Sequence, residues 1–135
     1  MNIMKKSTET IKFRVRYQET DQMGVVYYAN YLVWFEMVRT EFFRSRGVAY
    51  RELEKEYKIF VPVVESHCRY KIPLRYDDLV TVIADLIEIN ERYIVFDYEV
   101  KNDGNLTTTG STKHVFVNQS GKPIRIPEFV LKAFK

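Results

Sequence analysis

In the segment Asn30-Tyr31-Leu32-Val33-Trp34-Phe35-Glu36-Met37-Val38-Arg39-Thr40-Glu41-Phe42-Phe43-Arg44-Ser45-Arg46, apolar residues recur at helical spacing, and Gly47 follows as a stop signal. Tyr31, Trp34, Phe35, Val38 and Phe42 share one face. Val33, Met37 and Phe43 lie on the other side, leaving a narrow polar strip through Glu36, Thr40 and Arg44. A helix apolar around most of its circumference is buried from several directions, so a sheet is expected to wrap it.

The flanking sequence supplies that sheet. Ile11, Phe13, Val15 and Tyr17 alternate with Lys12, Arg14 and Arg16, the period of a half-buried strand over 11–17. Four further strands are expected over 60–71, 79–89, 92–101 and 107–118. Asn90-Glu91 reads as a tight connection, and Asn102-Asp103-Gly104 as a hairpin turn. Short helices are expected at 50–57, highly charged and on the surface, and at 127–134. Long consecutive strands joined by short turns pair antiparallel. The expected fold is therefore α+β, a five-stranded antiparallel sheet around one long helix. Several strands carry apolar residues on both faces: Leu79, Ile83 and Ile87 point one way, and Val80, Val82 and Leu86 the other. One helix cannot cover both, so a second subunit is expected to cover part of the sheet.

At 135 residues the chain is one domain, residues 1–135, large enough to need no staple. The aromatic share of 15% suits a β-rich core, a subunit interface or an apolar ligand tunnel alike. Cys68 is the sole cysteine, which rules out an internal disulfide and fits a reducing cytoplasm. No apolar run approaches the ~18 residues of a spanning helix. The polar segment 1–10 has no secretory core, so the expected location is cytoplasmic. A net charge of +3 tolerates an anionic ligand and does not argue for nucleic acid.

Several common devices are absent from the sequence. There is no Gly-rich phosphate loop, and Gly110-Ser111 lacks the flanks of a nucleophile elbow. Neither His67 nor His114 has a partner at metal spacing, so no metal is expected and both read as strand histidines. Cys68 reads as a small packed residue, since neighbouring His67 points to the opposite strand face. The loop before the long helix differs. Asp21 stands between a strand and a helix start, with Gly24 three residues on. A carboxylate there can act as general base or nucleophile on a carbonyl. Gly24 permits close backbone approach, and the amides of residues 26–28 lead into a helix N-terminus suited to a developing oxyanion. On spacing alone, an Asp helix cap and a Gly turn explain the same residues.

Residues 16–36, Arg-Tyr-Gln-Glu-Thr-Asp-Gln-Met-Gly-Val-Val-Tyr-Tyr-Ala-Asn-Tyr-Leu-Val-Trp-Phe-Glu, closely resemble the signature of the 4-hydroxybenzoyl-CoA thioesterase family. This is the hot-dog-fold branch that includes YbgC-like acyl-CoA thioesterases. The resemblance continues through 72–78 and 121–127. It implies a hot-dog fold and hydrolysis of acyl-CoA at a subunit interface, in a homodimer assembling to a homotetramer. It implies no cofactor, the CoA being part of the substrate. The family's catalytic acid falls on Asp21, and its carbonyl-polarising amide falls on the backbone of Tyr28, where YbgC-like members often carry His. Gly24 and Asn30 lie beside that site, Asn30 also as a possible helix cap. Glu36 is expected as a second carboxylate at an interface, or paired with Arg39 or Thr40 along the helix. Lys122 and Arg125 are expected either at the CoA phosphates or as solvated surface charges. Two alternatives stand beside hydrolysis: a non-catalytic acyl-CoA or acyl-carrier-binding hot-dog protein, and a hot-dog dehydratase or hydratase. The second is disfavoured because no His occurs between 21 and 45.

Overall fold

The computed structural model describes residues 7–135; residues 1–6, part of the polar N-terminal segment, lie outside the described residues. The elements in chain order are β1 (Thr8–Arg14), α1 (Asn30–Ser45), α2 (Tyr50–Glu56), β2 (Val63–Tyr70), β3 (Leu79–Ile89), β4 (Tyr93–Asn102), β5 (Asn105–Val117), β6 (Pro123–Ile124) and α3 (Glu128–Phe134), with a 3-10 turn at Tyr17–Glu19 before α1. Every strand pairing is antiparallel, in the order β1-β3-β4-β5-β2, with β6 added on β5. The five expected long strands are present, and the two-residue β6 is an addition.

The long helix lies against the inner face of this sheet. Phe35 stacks on Tyr98 of β4 at 4.3 Å between ring centroids, and Phe42 meets Phe96 edge-on at 5.0 Å. Phe134 of α3 closes the end of the core against Phe42 and Phe43. Gly110 of β5 lets the helix come this close: a Cβ there would lie 2.7 Å from Phe35 Cζ and 2.9 Å from the His67 carbonyl oxygen. Asp103 and Gly104 both sit at positive φ, 50° and 80°, which makes the β4–β5 connection the two-residue turn expected from Asn-Asp-Gly.

Three expectations are corrected. The first strand ends at Arg14 rather than Tyr17, because the Glu19 carboxylate captures the Arg16 N–H at 2.8 Å and turns the chain; Tyr17 is exposed. The second begins at Val63 rather than Phe60, since Pro62 has no N–H to give the ladder and the register shifts between Val63 and Glu65. The helix is covered on one side only within this chain: Leu32, Val33 and Met37 remain 41–47% exposed. Edge strand β2 is also open, with every residue but Cys68 exposed. None of the described helices is long and apolar enough to cross a membrane.

Candidate active site

The loop carrying Asp21 is a compact turn. The Gly24 N–H donates to the Asp21 carbonyl at 2.9 Å, and the Asp21 N–H donates to the Val25 carbonyl at 2.9 Å. Gly24 holds φ +82°, so the structure gives it a conformational reason beyond ligand approach. The Asp21 side chain folds over its own turn: Oδ1 accepts the Met23 N–H at 2.9 Å and the Val25 N–H at 3.4 Å. Oδ2 accepts no hydrogen bond from the described residues. One carboxylate oxygen is thus pinned and the other is open.

The helix start supplies the complementary donor. Of the three amides expected there, the Val26 N–H is committed to the Leu74 carbonyl at 2.8 Å and the Tyr27 N–H to the Glu19 carbonyl at 2.9 Å. The Tyr28 N–H has no acceptor among the described residues, and Tyr28 is 61% exposed. Its ring packs against Tyr27 and Tyr70, at 4.7 Å and 6.4 Å, and the Tyr70 hydroxyl donates to the Tyr28 carbonyl at 3.4 Å. Tyr70 also packs on Tyr31, 5.2 Å away, so the mouth of the site is lined with phenols. The neighbouring Tyr28 phenol, and then the Asp21 charge, raise the Tyr27 phenol above its ordinary value.

Glu19, to which the sequence assigns no role, is the brace of this arrangement. It is 4% exposed, and its carboxylate accepts the Trp34 indole N–H at 2.7 Å and the Arg16 N–H at 2.8 Å. Burial raises its pKa, but the bonds from Trp34 and Arg16 outweigh burial and hold it below the usual carboxylate range. Two signals pointed to it: an Arg three residues before it, and a core-facing Trp whose N–H needs an acceptor.

The remaining expected residues are placed differently. Asn30 is the first residue of α1, not its cap, which is Ala29; the Asn30 Nδ2 donates to the Glu19 carbonyl at 2.8 Å, tying the helix to the loop. Glu36 lies on the open side of α1, about 9 Å further along the axis. It does not pair with Arg39, whose guanidinium turns inward to the Tyr50 and Tyr98 hydroxyls. Arg125 pairs with Glu91, and the backbone of Lys122 closes a turn on Asn118. Both belong to the β6 end of β5, paired through Phe116 and Val117, whereas Tyr31 at the helix start meets Thr108 near its other end. Eight strand residues separate these points by about 26 Å. Within one chain, Lys122 and Arg125 are therefore not brought to Asp21. His67 faces the outer side of the sheet beside Ser111 and Asp97, and His114 is buried in the core.

The profile of the thioesterase-like superfamily matches residues 15–134. The chain belongs to that superfamily. YneP of Bacillus subtilis, named provisionally as an acyl-CoA thioesterase, is 39% identical over 127 residues, covering 93% of this chain and 88% of YneP. The acyl-CoA thioesterase YbgC of Haemophilus influenzae is 30% identical over 122 residues, 90% of each chain. A solved DHNA-CoA thioesterase from Staphylococcus aureus shares 35% identity at a TM-score of 0.84, over 87% of this chain and 80% of that one. The sheet-around-helix architecture expected of a hot-dog thioesterase is the one found.

Proposed function

We propose that this thioesterase-like chain hydrolyses acyl-CoA thioesters to the free acid and CoA, with Asp21 as the acting carboxylate and the Tyr28 amide as carbonyl-polarising donor. The observation that carries it is the half-committed Asp21 carboxylate: two turn amides fix Oδ1 and leave Oδ2 to act. That oxygen either takes a proton from a water whose oxygen adds to the thioester carbon, or adds to that carbon itself, giving an anhydride that water then opens. In both routes the carbonyl oxygen gains charge, and a fixed N–H at a helix start stabilises it. The C–S bond then breaks, and the departing thiolate is a good leaving group. No metal and no cofactor beyond the substrate's CoA enters this scheme. The names of YbgC and the DHNA-CoA thioesterase, and the provisional name of YneP, are those of CoA thioesterases and support the substrate class.

The open α1 face and the open β2 edge support assembly of homodimers into a homotetramer, in which Lys122 and Glu36 of one copy, and Arg125 on exchange of its Glu91 partner, serve another copy's site. The single reduced cysteine supports a cytoplasmic setting. Thiol release over a panel of aryl, short, medium and long acyl-CoA substrates tests the reaction. Turnover of at least one is expected; binding of acyl-CoA without any turnover identifies a non-catalytic carrier instead.

A further inference from the structure

Beside α1, on the side facing α2, a cavity of about 660 Å³ is lined by Glu36, Arg39, Tyr50, Arg51, Glu54 and Lys55, among others. Arg39 is 7% exposed, and among the described residues no carboxylate lies within 4 Å of it. Its Nε donates to the Tyr50 hydroxyl at 3.2 Å and one terminal nitrogen donates to the Tyr98 hydroxyl at 3.0 Å. A guanidinium has five N–H donors in a planar fork, so three are left over.

Among the described residues, no group behind Arg39 carries a balancing charge. Burial pushes both tyrosine phenols up, so they stay neutral. The Tyr98 hydroxyl continues to the Thr112 hydroxyl at 2.6 Å, and Thr112 to His114 Nε2 at 2.8 Å. Burial, and then the Arg39 charge itself, hold His114 down to about 3, so this imidazole is neutral as well. The network therefore carries a single uncompensated positive charge at its cavity end. A buried cation in that state favours an anion that can take the rest of its fork.

We propose that this cavity is a phosphate-binding site anchored on Arg39, with Arg51 and Lys55 at its rim. Arg39, Arg51 and Lys55 line it against two carboxylates, Glu36 and Glu54, while the charge of Arg44, also at the wall, is taken by Glu41. The remaining excess of one positive charge favours an anion, and phosphate accepts the guanidinium edge in bidentate fashion. The volume is within the roughly 300–1,000 Å³ of small-molecule sites, so the phosphate arrives on an organic group of nucleotide size or smaller. Such a group comes either from a free phosphorylated metabolite or from the nucleotide end of coenzyme A. The site stands independently of the Asp21 reading, because it rests on different residues.

The test is calorimetric titration of the full chain with inorganic phosphate, ADP and CoA at constant ionic strength. One saturable site per chain is expected for phosphate and for ADP. Arg51 and Lys55 are exposed, so the pair R51Q/K55Q keeps the fold and is expected to bind about tenfold more weakly or worse. R39Q is expected to lose binding; if it fails to fold, the rim pair carries the result. ADP binding that R51Q/K55Q weakens, with CoA binding unchanged by that pair, assigns a free metabolite, and like weakening of both assigns the coenzyme's nucleotide; either supports the site. The proposal is overturned by no saturable binding of phosphate or ADP, or by equal affinity in wild type and the rim pair. A change of native mass in R39Q, with phosphate unbound by wild type, also overturns it, since a second copy's carboxylate then fills the cavity.

Discussion

Replacing Glu19 with Gln removes one charge and keeps the shape, which makes it a sharp probe of how the Asp21 loop is held. The carboxylate accepts two well-formed bonds, from the Trp34 indole at 2.7 Å and the Arg16 amide at 2.8 Å, and the Arg16 guanidinium sits 3.4 Å away. An amide has a single accepting oxygen, so either the indole or the backbone N–H faces an NH₂ donor. Trp34 is fully buried and water cannot replace the lost acceptor. Loss of a hydrogen bond to a charged group costs about 1.5–3 kcal/mol. For a domain of this size that is a fall in Tm of about 5–12 °C at pH 7. The pH dependence has a definite sign. The folded-state pKa of Glu19 lies below its ordinary value near 4.5, so its contribution is complete above that value and lost as pH falls through the lowered one. Thermal melts of wild type and E19Q should therefore differ most at neutral pH and converge as the pH falls below 4.5 through the lowered value. Equal stability at pH 7, or a gap that does not narrow in acid, refutes the reasoning.

Other outcomes are equally specific. Gly110→Ala places a methyl group against the Phe35 ring and the His67 carbonyl, and chemical denaturation should show a loss of about 1–3 kcal/mol. The backbone role of Tyr28 separates from its phenol: Tyr28→Phe should retain most of kcat, while Tyr28→Pro, which removes the N–H, should lose about 10²–10³-fold in thiol release. A large loss in Tyr28→Phe would transfer the role to the hydroxyl.

The parts of this fold visible in the sequence are those where local pattern and tertiary burial agree. Trp34, Phe35, Val38 and Phe42 face the core as their spacing demands, and Asp103-Gly104 turns as its chemistry demands. What stayed hidden depends on partners distant in sequence. Arg39 sits inside because Tyr98, fifty-nine residues later, offers it a hydroxyl, and the helical pattern alone cannot announce that. Asn30 looks like a cap by residue type, but the Glu19 carbonyl takes its side chain. Lys122 and Arg125 are near Asp21 in neither sequence nor this chain's structure, so only an assembly can join them. The Asp21 loop itself was legible because its turn is local: Asp, Gly and helix start lie within ten residues.

The central claim is most directly tested by steady-state thiol release from purified Asp21→Asn with the best substrate of the acyl-CoA panel. Asn keeps the Oδ1 that accepts the Met23 and Val25 amides, so the turn and the melting temperature should be preserved. The account predicts a loss of kcat of about 10²–10⁴-fold in this folded variant. Turnover within a few-fold of wild type would contradict it and remove Asp21 from the reaction.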